Sequence, residues 1–101
     1  MSAPGTFAIA LSGMQAATTT LQASAHNVAN LATPEFHPQR VLASPRPKGG
    51  VDTRVERTSD DGTDLAREFV DQIVASTQYR ANAKVVRVTR DTDAALINIL
   101  A

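Results

Sequence analysis

Side chains able to do chemistry are few in this 101-residue chain. It has two histidines, His26 and His37, ten scattered carboxylates and no cysteine. The missing cysteine excludes a disulfide scaffold, a thiolate metal site and cysteine catalysis. The histidines stand eleven positions apart, with no H-E-x-x-H ladder and no nucleophile elbow around either. Both therefore read as surface or interface residues. Asp60-Asp61-Gly62-Thr63-Asp64 invites a calcium reading, but it lacks the D-x-[DN]-x-[DN]-G order and the closing glutamate. Acids just ahead of a helical pattern are better explained as a helix cap. Arg80, Lys84, Arg87 and Arg90 recur at helical spacing, yet Asp91 and Asp93 follow at once and only Tyr79 interleaves. That suits a solvated or subunit-facing surface rather than a nucleic-acid site. The expectation is a protein with no catalytic residues, no metal site and no cofactor.

The elements around these residues must be found from composition and period. Length points to one small domain. Of the apolar 43% of the chain, 17 residues are alanine, which bury little area at about 25 cal/mol per Å². An isolated monomer should be marginal. The ten basic and ten acidic residues cancel, so there is no global attraction to nucleic acid or anionic membrane. Their distribution is uneven: every charged side chain lies from Glu35 onward.

An uncharged N-terminal third suggests an export signal or a membrane span. It has no basic n-region, and Ser12, Gly13, Gln15 and Thr18-Thr19-Thr20 make it too polar for either. Its pattern is helical instead. Phe7, Met14, Leu21 and Val28 recur every seven residues, with Ala10, Ala17, Ser24 and Leu31 three positions later. This a/d seam of mostly small d residues would admit a close partner helix. Ser12 or Thr6 is the expected cap, and Pro34 the expected stop. A helix without a charged face should meet protein on its remaining faces too, rather than being a half-buried core helix alone.

Prolines 34, 38, 45 and 47 and the Gly49-Gly50 pair mark the middle as loops and turns. Alternating segments at Gln39–Ala43 and Val51–Glu56 predict either a short β-hairpin or an extended loop. Beyond them Val70, Val74, Thr77, Ala81, Val85, Val88, Thr92, Ala95 and Ile99 form a stripe with the period of a straight helix. Asp60, Asp61, Asp64 and Glu68 suit its N-terminus, and Arg67–Asp71 and Arg87–Asp91 stand at ion-pair spacing. Residues 64–100 would span over about 50 Å at ~1.5 Å per residue. The expected fold is mainly α, a long antiparallel coiled-coil-like helical hairpin with a short β-hairpin or loop between the helices. Its parts are an N-terminal helix in 1–33, a loop segment in 34–62 and a C-terminal helix in 63–101, forming one domain.

Two stretches together resemble the terminal signatures of the bacterial flagellar rod and hook proteins. One is Leu11-Ser12-Gly13-Met14-Gln15-Ala16 running through Ala25-His26-Asn27-Val28-Ala29-Asn30 to Thr33-Pro34-Glu35-Phe36. The other is Asp64-Leu65-Ala66-Arg67-Glu68-Phe69-Val70 through Gln78-Tyr79-Arg80-Ala81-Asn82, ending in Leu96-Ile97-Asn98-Ile99-Leu100. Two positions depart from the family form: His26 replaces an asparagine, and Glu35 replaces a glycine. If that glycine takes positive φ, Glu35 must bear strain or turn differently. With its short middle, the chain is most similar to the short proximal rod type.

The resemblance implies a structural subunit of the basal-body rod that assembles through its terminal helices into an axial, torque-transmitting tube. It implies copies of the chain and other rod and hook axial proteins as partners. It also implies passage through the type III export apparatus without a cleaved signal, a periplasmic rod location, and neither nucleic-acid binding nor membrane insertion. The family-motif residues are Ser12, Gly13, Asn27, Asn30, Thr33, Pro34, Phe36, Glu68, Tyr79, Ala81 and Asn82. Phe7, Met14, Leu21 and Val28 would face Val74, Ala81, Val88 and Ala95 in the hairpin or assembly seam. The alternative is a soluble helical-hairpin adaptor or export-associated binding module that uses the same seam for one partner.

Overall fold

The computed structural model describes residues 3–100. Its elements are α1 (Ala3–Ala29), β1 (Gln39–Pro45), β2 (Val51–Arg57) and α2 (Leu65–Leu100). The expected helical hairpin forms, and of the two options for the middle segment the β-hairpin is the one adopted. The helices are antiparallel, and the molecule measures 63 × 25 × 14 Å. Its length is set by α2, whose 36 residues span about 54 Å at ~1.5 Å per residue.

α1 begins earlier than expected, at Ala3, so neither Thr6 nor Ser12 is its cap. Pro4 falls in the first turn, where a missing N–H removes no intrahelical bond. The helix also stops before Pro34. Beyond Ala29 the Asn30 amide donates to the His26 carbonyl (2.9 Å), and the Thr33 hydroxyl donates to Asn30 Oδ1 (3.1 Å). Leu31 therefore lies past the helix, 47% exposed, rather than in the seam. Within α1, Thr18, Thr19 and Thr20 return their hydroxyls to the carbonyls of Met14, Gln15 and Ala16 at 3.0–3.1 Å. Three of the polar side chains of this uncharged helix are thus satisfied on its own backbone.

α2 is started by Asp64, whose Oδ1 accepts from the Arg67 N–H at 3.2 Å, an N-cap bond. The acid run reads correctly as a cap. The expected i,i+4 ion pairs do not form among the described residues. Asp91 instead approaches Arg90 at 3.6 Å, and Arg67 and Asp71 make no pair. Exposed pairs at that spacing are worth only about 0.2–0.5 kcal/mol, too little to hold two long side chains against water.

The strands pair in register from Gln39 opposite Arg57 to Pro45 opposite Val51, closed by a loop in which the Arg46 N–H donates to the Gly50 carbonyl at 3.0 Å. Gly49 and Gly50 have φ of 99° and 93°, a conformation that glycine reaches without strain. This ribbon lies along α1, and its first residues, Gln39 and Arg40, share a cleft with Arg67, Glu68 and Asp71 of α2. α1 is therefore the middle element, with α2 on one side and the hairpin on another. The uncharged helix does meet protein on a second face, and part of that protein is its own chain.

Glu35 sits at φ 59°, inside the left-handed region. Of the two outcomes open to it, this residue takes the strained one. Glu35→Gly should therefore raise stability by about 0.5–1 kcal/mol, the cost of a Cβ in that region less the extra freedom of unfolded glycine. Urea denaturation at one fixed protein concentration measures it, and an unchanged or lowered midpoint would contradict the strain.

Candidate assembly surface

The closest helix–helix contacts are made by small and polar residues. The fully or nearly buried side chains of α1 are Ala10, Ser12, Ala17, Ala23, Ser24 and Asn27, and those of α2 are Glu68 and Ala75. A Cβ added to Gly13 would stand 2.6 Å from Asn82 Nδ2, so the Asn82 side chain lies directly over Gly13 in the space a larger residue would take. Asn82 itself donates to the Gln78 carbonyl of its own helix at 2.9 Å.

Polar bonds fix the register. Ser24 Oγ donates to the Glu68 carbonyl at 3.2 Å and accepts from Gln72 Nε2 at 3.0 Å. Asn27 is the largest side chain that is completely enclosed. Its Oδ1 accepts from the Gln39 N–H (2.7 Å), and its Nδ2 donates to the Gln39 carbonyl (2.8 Å) and to both Glu68 carboxylate oxygens (3.1 and 3.2 Å). The Asn27 carbonyl accepts from the Thr63 hydroxyl at 2.9 Å. The Asn27 amide thus ties α1 to the start of β1 and to α2, and the residue's backbone carbonyl adds the tie to the segment entering α2.

A second tie holds the far end of the ribbon. Ser12 Oγ accepts from the Val51 N–H at 3.1 Å and donates to the Ile9 carbonyl at 2.7 Å. A Cβ on Gly50 would come within 2.8 Å of that oxygen. The lengths match: from residue 12 to residue 27 a helix rises about 22 Å, and from residue 39 to residue 45 a strand advances about 20 Å. The hairpin therefore runs alongside α1, fastened at both ends.

The sequence-based seam is displaced by this geometry. Val74 and Val88 are 48% and 53% exposed, and Ala81 and Ala95 are exposed too. They stand one residue away from Ala75 and Asn82, about 100° round the helix from the face that meets α1. Likewise Phe7 is 42% exposed, and Met14, Leu21 and Val28 flank the contact, while Ala10, Ala17 and Ser24 take its centre. Small residues win the centre because they let the backbones close and the Ser24 and Asn27 bonds form.

The remaining motif residues surround this knot. Phe36 packs its ring against His26 (centroids 5.6 Å, 55° tilt), and His37 Nδ1 donates to the Asp60 carbonyl at 2.8 Å. The histidines thus hold the turn after α1. Thr33 and Pro34 are exposed in that turn. Tyr79, 40% exposed, lines a groove of about 330 Å³ with Leu11, Met14 and Thr18. Sequence reasoning had no signal for the bond from Ser12 to β2, which joins positions 39 residues apart.

The large apolar residues face outward instead. Val70, Val74, Val85, Val88 and Ile99, the valine and isoleucine members of the 3.6-period stripe, are 42–78% exposed. Among the described residues of the helices, the buried apolar side chains are four alanines. The stripe is therefore a genuine helix face that has no neighbour within the described chain. The fold and these surfaces define an elongated helical hairpin with unsatisfied apolar faces.

A scan against protein-family models matches residues 60–99 to the flagellar basal body rod FlgEFG protein C-terminal family. The matched segment comprises the Asp64 cap and nearly all of α2. The match covers 40 of the 101 residues and is a likeness of α2 to that family's C-terminal segment. No curated protein matches the chain. Among the described residues, no helix is long and apolar enough to cross a membrane.

Asn27→Ala should destabilise the fold by about 3 kcal/mol, since it strands the Glu68 carboxylate and both Gln39 backbone groups. Ser12→Ala, which frees one half-exposed N–H, should cost about 1 kcal/mol. Equal losses in denaturant titrations of the two variants would show that the Asn27 knot is not the main fastening.

Proposed function

We propose that the chain is a structural subunit of the flagellar basal-body rod and assembles with copies of itself and other rod and hook proteins into the axial tube that transmits torque. The observation carrying this reading is the α2 stripe. A period of 3.6 sustained from Val70 to Ile99 marks a face built to be covered, yet among the described residues its valines and isoleucine stay 42–78% exposed. Such a contiguous exposed apolar face on a small protein is an interaction surface. The similarity of α2 to the rod C-terminal family supports reading that assembly as rod-like.

Other features agree. The strands of the middle segment have seven residues each, which leaves no room for an outer domain and fits the short proximal rod type. Four buried alanines give little cohesion, so the helices gain most of their burial on assembly. In this reading subunits pass through the type III export apparatus without a cleaved signal and join the rod in the periplasm. The function is mechanical, with no catalytic step.

The assembly should be concentration-dependent. Sedimentation and far-UV circular dichroism should show mass and helicity rising together on concentration. Val74→Asp and Val88→Asp should each weaken association by about tenfold or more, by placing a charge in an apolar contact, while leaving the hairpin bonds intact. In cells, deletion of the gene should abolish motility and leave basal bodies without a complete rod. A stable helical monomer at every concentration, or a discrete one-to-one complex with a secretion component, would instead favour the adaptor reading.

A further inference from the structure

The two edges of the ribbon are not equally closed. Its ladder bonds join even-numbered positions, as Arg46–Gly50 and Thr58–Pro38 do at the two ends, so the odd-numbered N–H and C=O groups point outward along the edges. On β1, Asn27 takes both outward groups of Gln39, and Pro45 has no N–H to offer. On β2, Ser12 takes the Val51 N–H. Arg57 lies opposite Gln39, which α1 holds from the β1 side, so the β2 edge runs clear of α1 toward Arg57. Among the described residues nothing bonds the outward groups of Thr53, Val55 and Arg57. Val55, at the middle of that row, is 45% exposed.

Such an open edge is a template for another strand, and charged residues commonly blunt it. Here the charges are ordered so that they select a partner. Arg54 and Glu56 stand on the outer face of β2 and meet each other at 2.8 Å, both side chains exposed. When a second β2 pairs antiparallel with Val55 opposite Val55, each Arg54 stands opposite a Glu56, once on either side of the centre. These are the non-hydrogen-bonded positions, where opposed side chains come closest. Sliding by two residues one way sets Arg54 against Arg54 and Asp52 against Glu56, and the other way sets Glu56 against Glu56. A slip of one residue opposes outward backbone groups to inward ones. β2 therefore complements itself in a single register.

We propose that two copies of this chain pair through their β2 edges, antiparallel about a two-fold axis at Val55, to make one four-stranded sheet. Backbone bonds then join Thr53 to Arg57, Val55 to Val55 and Arg57 to Thr53 across the axis, and an Arg54–Glu56 ion pair flanks the centre on each side. The axis stands normal to the sheet, so both α1 helices stay on the same face, each beneath its own ribbon. The contact is isologous and closes at two copies. It uses no residue of the α2 stripe and does not rest on the assembly reading above.

The test uses the full chain carrying Val74→Asp, which weakens the outward face of α2 as a contact. In that background, sedimentation should show a monomer–dimer equilibrium. Arg54→Glu or Glu56→Arg alone sets like charges opposite each other twice and should weaken pairing by about tenfold. An equimolar mixture of the two should restore it, because acids of one chain then face arginines of the other. Mixing cannot restore the ion pair within either strand, so a merely local role for that pair predicts no rescue. The chain has no cysteine, so introduced thiols report contacts cleanly. Residues opposed at a hydrogen-bonded position lie about 5.5 Å apart, within disulfide reach. Under mild oxidation Val55→Cys should form covalent dimers at least about tenfold faster than Ser44→Cys, an exposed position on β1. A monomer at every concentration, charge variants that pair as well as their parent, or a mixture without rescue would each overturn the pairing. None of these results bears on assembly through α2, which the parent chain without Val74→Asp reports separately.

Discussion

The Asn27 amide is the constraint on which the rest of the structure depends. It is enclosed on all sides, and its bonds run to the backbone of Gln39 and the carboxylate of Glu68. In a buried site each of these partners would be costly to leave unpaired, so the three segments can meet in only one way. The register of α2 against α1 and the start of the ribbon follow from this junction. Hydrophobic packing could not supply such specificity here, because alanines offer no shape to interlock.

Two kinds of contact are thereby divided between two surfaces. Inside the hairpin, small residues and directed bonds determine where the helices lie. Outside it, large apolar residues wait for area, which is non-directional and favours whatever neighbour arrives. A subunit organised in this way has its shape specified before assembly and gains its cohesion during it. The division also explains why α1 carries no charge: one face takes α2, another takes the ribbon, and ions on either would have to be dehydrated.

Much of this was legible in the sequence, and the exceptions have physical causes. The heptads of α1, the stripe of α2 and the Asp64 region as a cap announced their elements, because each is a local periodicity or end signal, while the alternation in the middle segment left a hairpin and a loop equally open. The stripe did not announce its neighbour. A period reveals that Val74 and Val88 share a face but says nothing about whether that face is covered by the same chain. The inner face of α2 was hidden because Glu68, Ala75 and Asn82 show no apolar contrast. Ser12 looked like a cap since serine usually earns that reading near a helix start, and its true partner lies in β2. Asn27 stood out only through its place in the rod-like motif and Glu68 through that motif and as an acid near a helix start, and neither signal says that they touch. Glu35 was flagged by the same motif, and its backbone did take the strained form.

Thr18, Thr19 and Thr20 leave one further consequence. A threonine exposed to water normally keeps its hydroxyl hydrated, and a neighbour must strip that water away to make contact. Here all three protons are already spent on the preceding turn of α1. Water still reaches the hydroxyl oxygens, whose lone pairs remain free to accept, so a protein docking on this stretch need supply no acceptor for these protons.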